Sequence, residues 1–278
     1  MRTVRCFFLG KEFPAISITG SECAIGCPHC MGQPLKGMLS AKTPDRLIEI
    51  ANELDSKKSI GLLLSGGCDL DGVLPIGRFV DAIRRIKDST NLRINIHPGF
   101  PRSSDSVLLA SLGVDAFSIN YPLTDEIAYR YMGIRNGSAR FRETVESLRN
   151  NGARRVIPHV LIGLGEPDEE LRGLKELREF SPSSIVFIAF FPLRGTPLSS
   201  KMPVPPERIY DTVMSAREIF PTSNLVLGCM RPKGYHEMEI ALISEALDGI
   251  VMPSKKAIST RYPGITIEKF KGCCSLYL

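Results

Sequence analysis

Short apolar runs of β type alternate with longer stretches of helical periodicity along the whole chain, and this alternation restricts the fold more than any other feature. Eight runs bounded by turn signals read as strands: 15–19, 60–65, 93–97, 116–120, 156–162, 185–190, 225–229 and 249–252. Helical patterns over 44–54, 76–86, 105–112, 139–150, 169–180, 206–219 and 237–247 separate them. Such alternation returns the chain to a parallel neighbour each time and predicts an α/β fold. The first helix declares its start: Thr43 as N-cap, Pro44 at the first helical position, and Leu47, Ile50, Ala51 and Leu54 on one face. Eight units in 278 residues suit a complete (β/α)8 TIM-type barrel, with an open six-strand (β/α)6 barrel as the alternative. The whole of 1–278 is read as one domain, with its core over about 13–252 and a C-terminal tail, 253–278, over the barrel mouth. In such barrels the chemistry belongs at the C-terminal ends of the strands, and that rule ranks the remaining residues.

Directly after the first strand comes Glu22-Cys23-Ala24-Ile25-Gly26-Cys27-Pro28-His29-Cys30. Three cysteines spaced C-x3-C-x2-C let one compact loop deliver three thiolates to one face of a cubane, with no fourth cysteine nearby. Iron–sulfur clusters normally take four thiolates, so one iron is left open for a small ligand. Zinc is the bland alternative for clustered cysteines, but its fourth ligand would have to be His29.

At these residues the sequence resembles the radical S-adenosylmethionine superfamily. The resemblance implies a [4Fe–4S] cluster on Cys23, Cys27 and Cys30 whose open iron chelates S-adenosylmethionine. It also implies reductive cleavage of that cofactor to a 5′-deoxyadenosyl radical, with an electron donor such as ferredoxin. Further segments fit the same pattern. Gly66-Gly67-Cys68 ends the second strand where the family carries Gly-Gly-Glu against the methionine amino group, with Cys68 in place of the Glu; otherwise the glycine pair is a plain turn. His97 and Asn120 end the third and fourth strands, as ribose or substrate contacts or as hydrogen-bonded core residues. Gly163-Leu164-Gly165-Glu166 resembles the glycine-rich segment near the adenine, and His159 before it reads as structural. Pro192-Leu193-Arg194-Gly195-Thr196-Pro197-Leu198 resembles a turn of biotin synthase, where Arg194 could pair with a carboxylate or stand idle as a loop arginine.

Five cysteines lie outside the loop: Cys6, Cys68, Cys229, Cys273 and Cys274. A lone free cysteine usually behaves as a small buried hydrophobe. Here Cys68 and Cys229, with Arg231 beside it, fall at strand ends on the active-site rim. Cys273-Cys274 follow a glycine in the tail. Four converging thiolates would make a second, auxiliary [4Fe–4S] cluster on Cys229, Cys273, Cys274 and either Cys68 or Cys6.

Biotin synthase itself carries cysteines at inner strand ends, where this chain has His97, Asn120 and Leu161; the N-terminal cysteine triplet of common lipoyl synthases is also missing. The overall pattern resembles the archaeal-type two-protein lipoyl synthases. That implies sulfur insertion into an octanoyl chain on a lipoyl domain or H protein, with a partner radical SAM protein and the auxiliary cluster as sulfur donor. The alternative is a mutase or maturase similar to methylornithine synthase or the hydrogenase-maturation protein. Composition narrows the rest. No apolar run of 18 residues is present, the N-terminus lacks a signal-peptide core, and eight cysteines without a secretory signal suggest a reducing cytoplasm. A net charge of +5 spread along the chain gives no reason to expect a nucleic-acid partner.

Overall fold

The computed structural model describes residues 2–277. Its strands are β1 (Arg2–Phe8), β2 (Ala15–Ser17), β3 (Leu39–Ser40), β4 (Gly61–Ser65), β5 (Arg93–Ile96), β6 (Ala116–Tyr121), β7 (Val156–Ile162), β8 (Ser184–Ala189), β9 (Asn224–Leu227), β10 (Gly249–Val251) and β11 (Ile265–Lys271). The helices are α1 (Pro44–Ser56), α2 (Val80–Ser89), α3 (Ser103–Ala110), α4 (Asp125–Met132), α5 (Gly137–Asn150), α6 (Pro167–Leu177), α7 (Pro206–Ile219), α8 (His236–Glu245) and α9 (Lys255–Ser259). None is long and apolar enough to cross a membrane.

All eight strands read from the sequence are present, as β2 and β4 to β10, and every ladder in the sheet is parallel. The sheet runs β11-β1-β10-β9-β8-β7-β6-β5-β4-β2-β3, so β10 pairs with β1 and not with β2. Among the described residues the sheet is therefore an open, curled barrel carrying eight βα strands, not a ring closed by backbone ladders. The two ends of the curl approach through side chains instead: Lys271 at the end of β11 is 3.0 Å from Glu12, just before β2.

The period-2 alternation of the strands sorts their side chains into two layers. Ile94, Ile96, Phe117, Ile119, Val160, Ile162, Phe187 and Leu225 face outward into the core shared with the helices. Phe7, Ile157, Val186, Val226 and Val251 face the barrel interior, and Cys274 is buried among them. The tail expected over the mouth thus descends into the barrel. Gly272 N–H donates to Phe8 O (3.0 Å), and Leu276 is buried with Phe13 and Ala116 near the strand starts. Three polar side chains anchor it on the way. Asn95 Nδ2 donates to Ser118 Oγ (3.0 Å) and to Cys273 Sγ (3.5 Å), and Ser118 Oγ lies 3.1 Å from Ser275 Oγ. Buried hydroxyls and amides need such partners, and here the tail supplies them.

Candidate active site

The cysteine loop leaves β2 at the C-terminal end of the sheet, as the barrel rule requires. Thr19 shapes its entry: its hydroxyl accepts from Gly67 N–H (2.7 Å) and donates to Glu22 O (2.9 Å). The loop then turns at Gly26 (φ +59°) and Gly32 (φ +68°). Cys27, His29 and Cys30 bring their ligand atoms within 4.8 Å of one another, all three half-buried. Cys27 donates to Cys30, so the pair shares one proton. That hydrogen bond, with His29 adding to it, pulls the Cys30 thiol down to about 4 and pushes Cys27 well up. The α4 C-terminus backs the loop, with Tyr131 O 3.2 Å from His29 Nδ1 and Met132 O 3.8 Å from Cys27 Sγ.

The glycine pair ending β4 has a packing reason. A Cβ on Gly67 would lie 1.9 Å from Glu22 O and 2.5 Å from Cys23 Cα, so only glycine lets this strand end meet the loop. Ala24 N–H then donates to Cys68 O (2.8 Å). Cys68 consequently belongs with the loop: burial lifts its thiol to about 12, with the charges of Cys23, Asp69 and Cys30 adding to the effect.

The other cysteines divide in two. Cys229, open to solvent after β9, and the tail pair Cys273 and Cys274 feel one another's charge. Cys273 accepts from Cys274, Ser275 and Asn95, and these bonds outweigh burial to bring it down to about 7, while Cys274 is raised. Cys6, named as an alternative auxiliary ligand, is not brought to this group. It faces the outer core, where burial raises its thiol to about 11 beside Lys269 and Glu239.

The remaining candidates disperse. Asn120 is exposed on β6 and in register with His159 on β7. The His97 and His159 rings meet edge-on with centroids 5.2 Å apart. Burial first, and for His97 the neighbouring imidazole second, hold their pKa values down at about 3 and 4, so both rings are neutral. Glu166 is the N-cap of α6, closing a capping box with Glu169. Arg194 is exposed on the loop after β8, next to Gly195, which approaches Gln33 beyond the cysteine loop. Arg231 does not face the rim: it is buried and donates to Glu239 (2.6 Å) and to Val251 O (2.8 Å), tying β10 to α8.

One buried carboxylate beside the candidate site escaped sequence reading. Glu170, 1% exposed, accepts from Gly163 N–H (2.7 Å) and Gly165 N–H (3.1 Å) and from Arg208 (2.8 Å). It braces the glycine-rich turn, and position 163 must be glycine both for its φ of +96° and because a Cβ there would strike Val204 at 1.9 Å. The buried carboxyl flanked by an arginine partner 38 residues away carries no local signature.

Two thiols and an imidazole are already together, while Cys23 stands outside that close group at the Gly67 strand end; the three cysteines of one loop suit an iron–sulfur cluster with a small ligand at its open iron. Comparison with known proteins agrees. A biotin synthase from Synechococcus is 27% identical over 60% of this chain and 54% of its own length. A mitochondrial lipoyl synthase from Ostreococcus lucimarinus is 28% identical over 64% of this chain and 46% of its own. The chain thus spans about half the length of these relatives. In fold, the crystal structure of methylornithine synthase (PylB) superposes with a TM-score of 0.66 at 16% identity, over 97% of this chain and 80% of that one. The hydrogenase maturase HydG gives 0.65 at 17% identity, over 94% and 59%. The sequence pattern of the radical SAM superfamily matches residues 17–177, from the end of β2 and the cysteine loop through α6, and the chain belongs to that superfamily.

Proposed function

We propose that this protein inserts sulfur into an unactivated C–H bond of a protein-bound octanoyl chain, using a second iron–sulfur cluster as sulfur donor. The observation that supports the reading is the pair of tail thiols, Cys273 and Cys274, set inside the barrel and each within electrostatic reach of Cys229. A tail that only sealed the barrel would be served by apolar residues. This one places two thiols among Phe7, Ile157, Val186 and Val226, and Asn95 and Ser275 hydrogen-bond to one of them.

Cys23, Cys27 and Cys30 would hold the first cluster, with S-adenosylmethionine at its open iron supplying a 5′-deoxyadenosyl radical for hydrogen abstraction. Gly66 and Gly67 keep the neighbouring strand end low and close. The Glu170 brace fixes the Gly163–Gly165 turn where the adenine would lie. Neutral His97 and His159, with Asn120, line the interior with hydrogen-bonding groups that add no charge. Substrate closing the barrel mouth would keep water from a reactive intermediate. The carrier would be a lipoyl domain or H protein, and a second radical SAM protein would act beside this one.

The experiment is iron and sulfide content with Mössbauer spectra, on anaerobically reconstituted protein and on a Cys23/Cys27/Cys30→Ala variant. Retention of about four irons in the variant supports the second cluster. An iron-free variant removes it and moves a mutase- or maturase-type reaction ahead. That second reading draws on one fact: among the described residues only Cys27, His29 and Cys30 bring three ligand atoms within 4.8 Å. Incubation with an octanoyl-lysyl peptide and the partner protein should add one or two sulfurs by mass; 5′-deoxyadenosine without that gain rejects sulfur insertion.

A further inference from the structure

The loops that leave β9 and β10 enclose a groove that the chemistry above does not use. Lys233, His236, Met252, Ser254, Lys255 and Lys256 line it, and its volume is about 610 Å³, within the range of small-molecule sites. The three lysines and His236 are exposed. Among the described residues Lys233 and Lys255 form no ion pair, and Lys256 pairs with the exposed Glu237. The one carboxylate in the wall, Glu239, is already taken: it accepts from Arg231 (2.6 Å) and from Ser254 N–H (2.8 Å). The groove is therefore left with uncompensated positive charge.

Its two loops are fixed against each other. Arg231 donates to Gly228 O after β9 and to Met252 O (3.2 Å) after β10, and Lys233 Nζ donates to Cys229 O (3.3 Å). Met252, not a glycine, is held at φ +48°; such strained residues persist where the surroundings fix them, and they cluster at ligand clamps. β9 and β10 are the seventh and eighth βα strands, and the loops after those strands frequently bind phosphate in (β/α)8 barrels. That place in the fold is analogy alone; the ammonium groups supply the chemistry. Lysine binds phosphate as a point charge, whereas bidentate recognition of a carboxylate favours arginine. The arginine here, Arg231, is buried and occupied by Glu239 and backbone carbonyls.

We propose that this groove binds the phosphate or diphosphate group of a small ligand at the barrel mouth. Lys233 and Lys255, the two ammonium groups without a carboxylate, are the principal contacts, and Lys256 exchanges Glu237 for a phosphoryl oxygen. Binding makes and breaks no covalent bond. The inference depends on neither iron–sulfur cluster and not on sulfur insertion.

The test is calorimetric titration of the holoenzyme with inorganic phosphate, with pyrophosphate, and with acetate as the carboxylate control. Wild type is compared with a Lys233→Ala/Lys255→Ala variant and with Lys57→Ala/Lys175→Ala, which removes the same charge from exposed positions elsewhere. Wild type should bind one pyrophosphate per chain, more tightly than phosphate and far more tightly than acetate. The groove variant should lose roughly tenfold or more in pyrophosphate affinity, while the control pair should match wild type. Melting temperatures of both variants show that each is folded. Absence of saturable pyrophosphate binding to wild type below about 1 mM overturns the proposal. Equal weakening in the control pair overturns it as well, because the attraction is then one of net charge. Acetate binding as tightly as phosphate would make the groove a carboxylate site. An acidic carrier domain that loses affinity for the groove variant, with pyrophosphate bound by neither protein, would make it a protein dock; either result rejects the phosphoryl assignment.

Discussion

Gly67 lies against Cys23 so closely that a Cβ on it would sit 2.5 Å from the cysteine Cα. The end of β4 is thereby a wall of the cysteine loop, and the wall cannot thicken. Gly67→Ala should push the loop off β4 and cost about 1–3 kcal/mol as overpacking does. Its clearer signature is in iron content, which should fall well below that of wild type reconstituted alongside it. Full iron loading with an unchanged melting temperature would show that the loop moves aside freely.

The Glu170 carboxylate serves three donors at once, two backbone N–H groups and Arg208. Burial presses its pKa up, while Arg208 and the two N–H groups press it down, and burial is the larger effect. Glu170→Ala would leave both amides without an acceptor and Arg208 with Gly165 O alone, a loss of about 3 kcal/mol. Glu170→Gln, which keeps the shape, should lose about 1–2 kcal/mol. Denaturant midpoints check the order; equal losses in the two variants would mean that volume, not the hydrogen bonds, sets the stability of this turn.

The sequence spoke plainly where structure is local. An uninterrupted apolar run flanked by turn residues needs no partner to be recognised, so all eight βα strands were legible, as was a cysteine loop defined by spacing alone. β1 and β11 were not, because Arg2-Thr3-Val4-Arg5-Cys6 and Thr266-Ile267-Glu268-Lys269-Phe270 interleave charges with apolar residues. Such alternation is what an edge region with one wet face uses, and the two strands take the place at β10 that closure with β2 would have filled. Side-chain placement across the barrel was harder. Cys68 could be put at a strand end, but whether it met the loop or the tail depended on Gly67. Arg231 follows Cys229 by two residues yet turns inward, because Glu239 on α8 and the carbonyls ending β10 offer its guanidinium partners.

The tail packs as an inner plug, and its stability contribution should be correspondingly large. Leu276 is 1% exposed and packs with Phe13 and Ala116, with Ile60 and Leu63 alongside. Leu276→Ala should therefore destabilise by about 2–4 kcal/mol, and Ser118→Ala, which strips a buried partner from Asn95 and Ser275, by about 1 kcal/mol. A tail lying across the surface would give less than about 0.5 kcal/mol for either change. Urea unfolding of the two variants against wild type separates these cases.

The paired imidazoles make stability depend on pH in a definite direction. His97 and His159 are held at about 3 and about 4 in the fold, against an ordinary value of 6.5. Each is lowered, so in the window between these values the unfolded chain binds protons that the folded chain refuses. Stability from this source is whole above pH 6.5 and drains as the pH falls toward the folded values. Each ring contributes at most about 1.4 kcal/mol of loss per pH unit in that window. Cluster-free protein should accordingly be less stable in urea at pH 5.5 than at pH 7.5, and a His97→Gln/His159→Gln variant should lose less over the same interval, whatever its stability at pH 7.5. Should the double variant keep the full wild-type pH slope, the imidazoles are being protonated within the fold and do not form the neutral lining of the chamber.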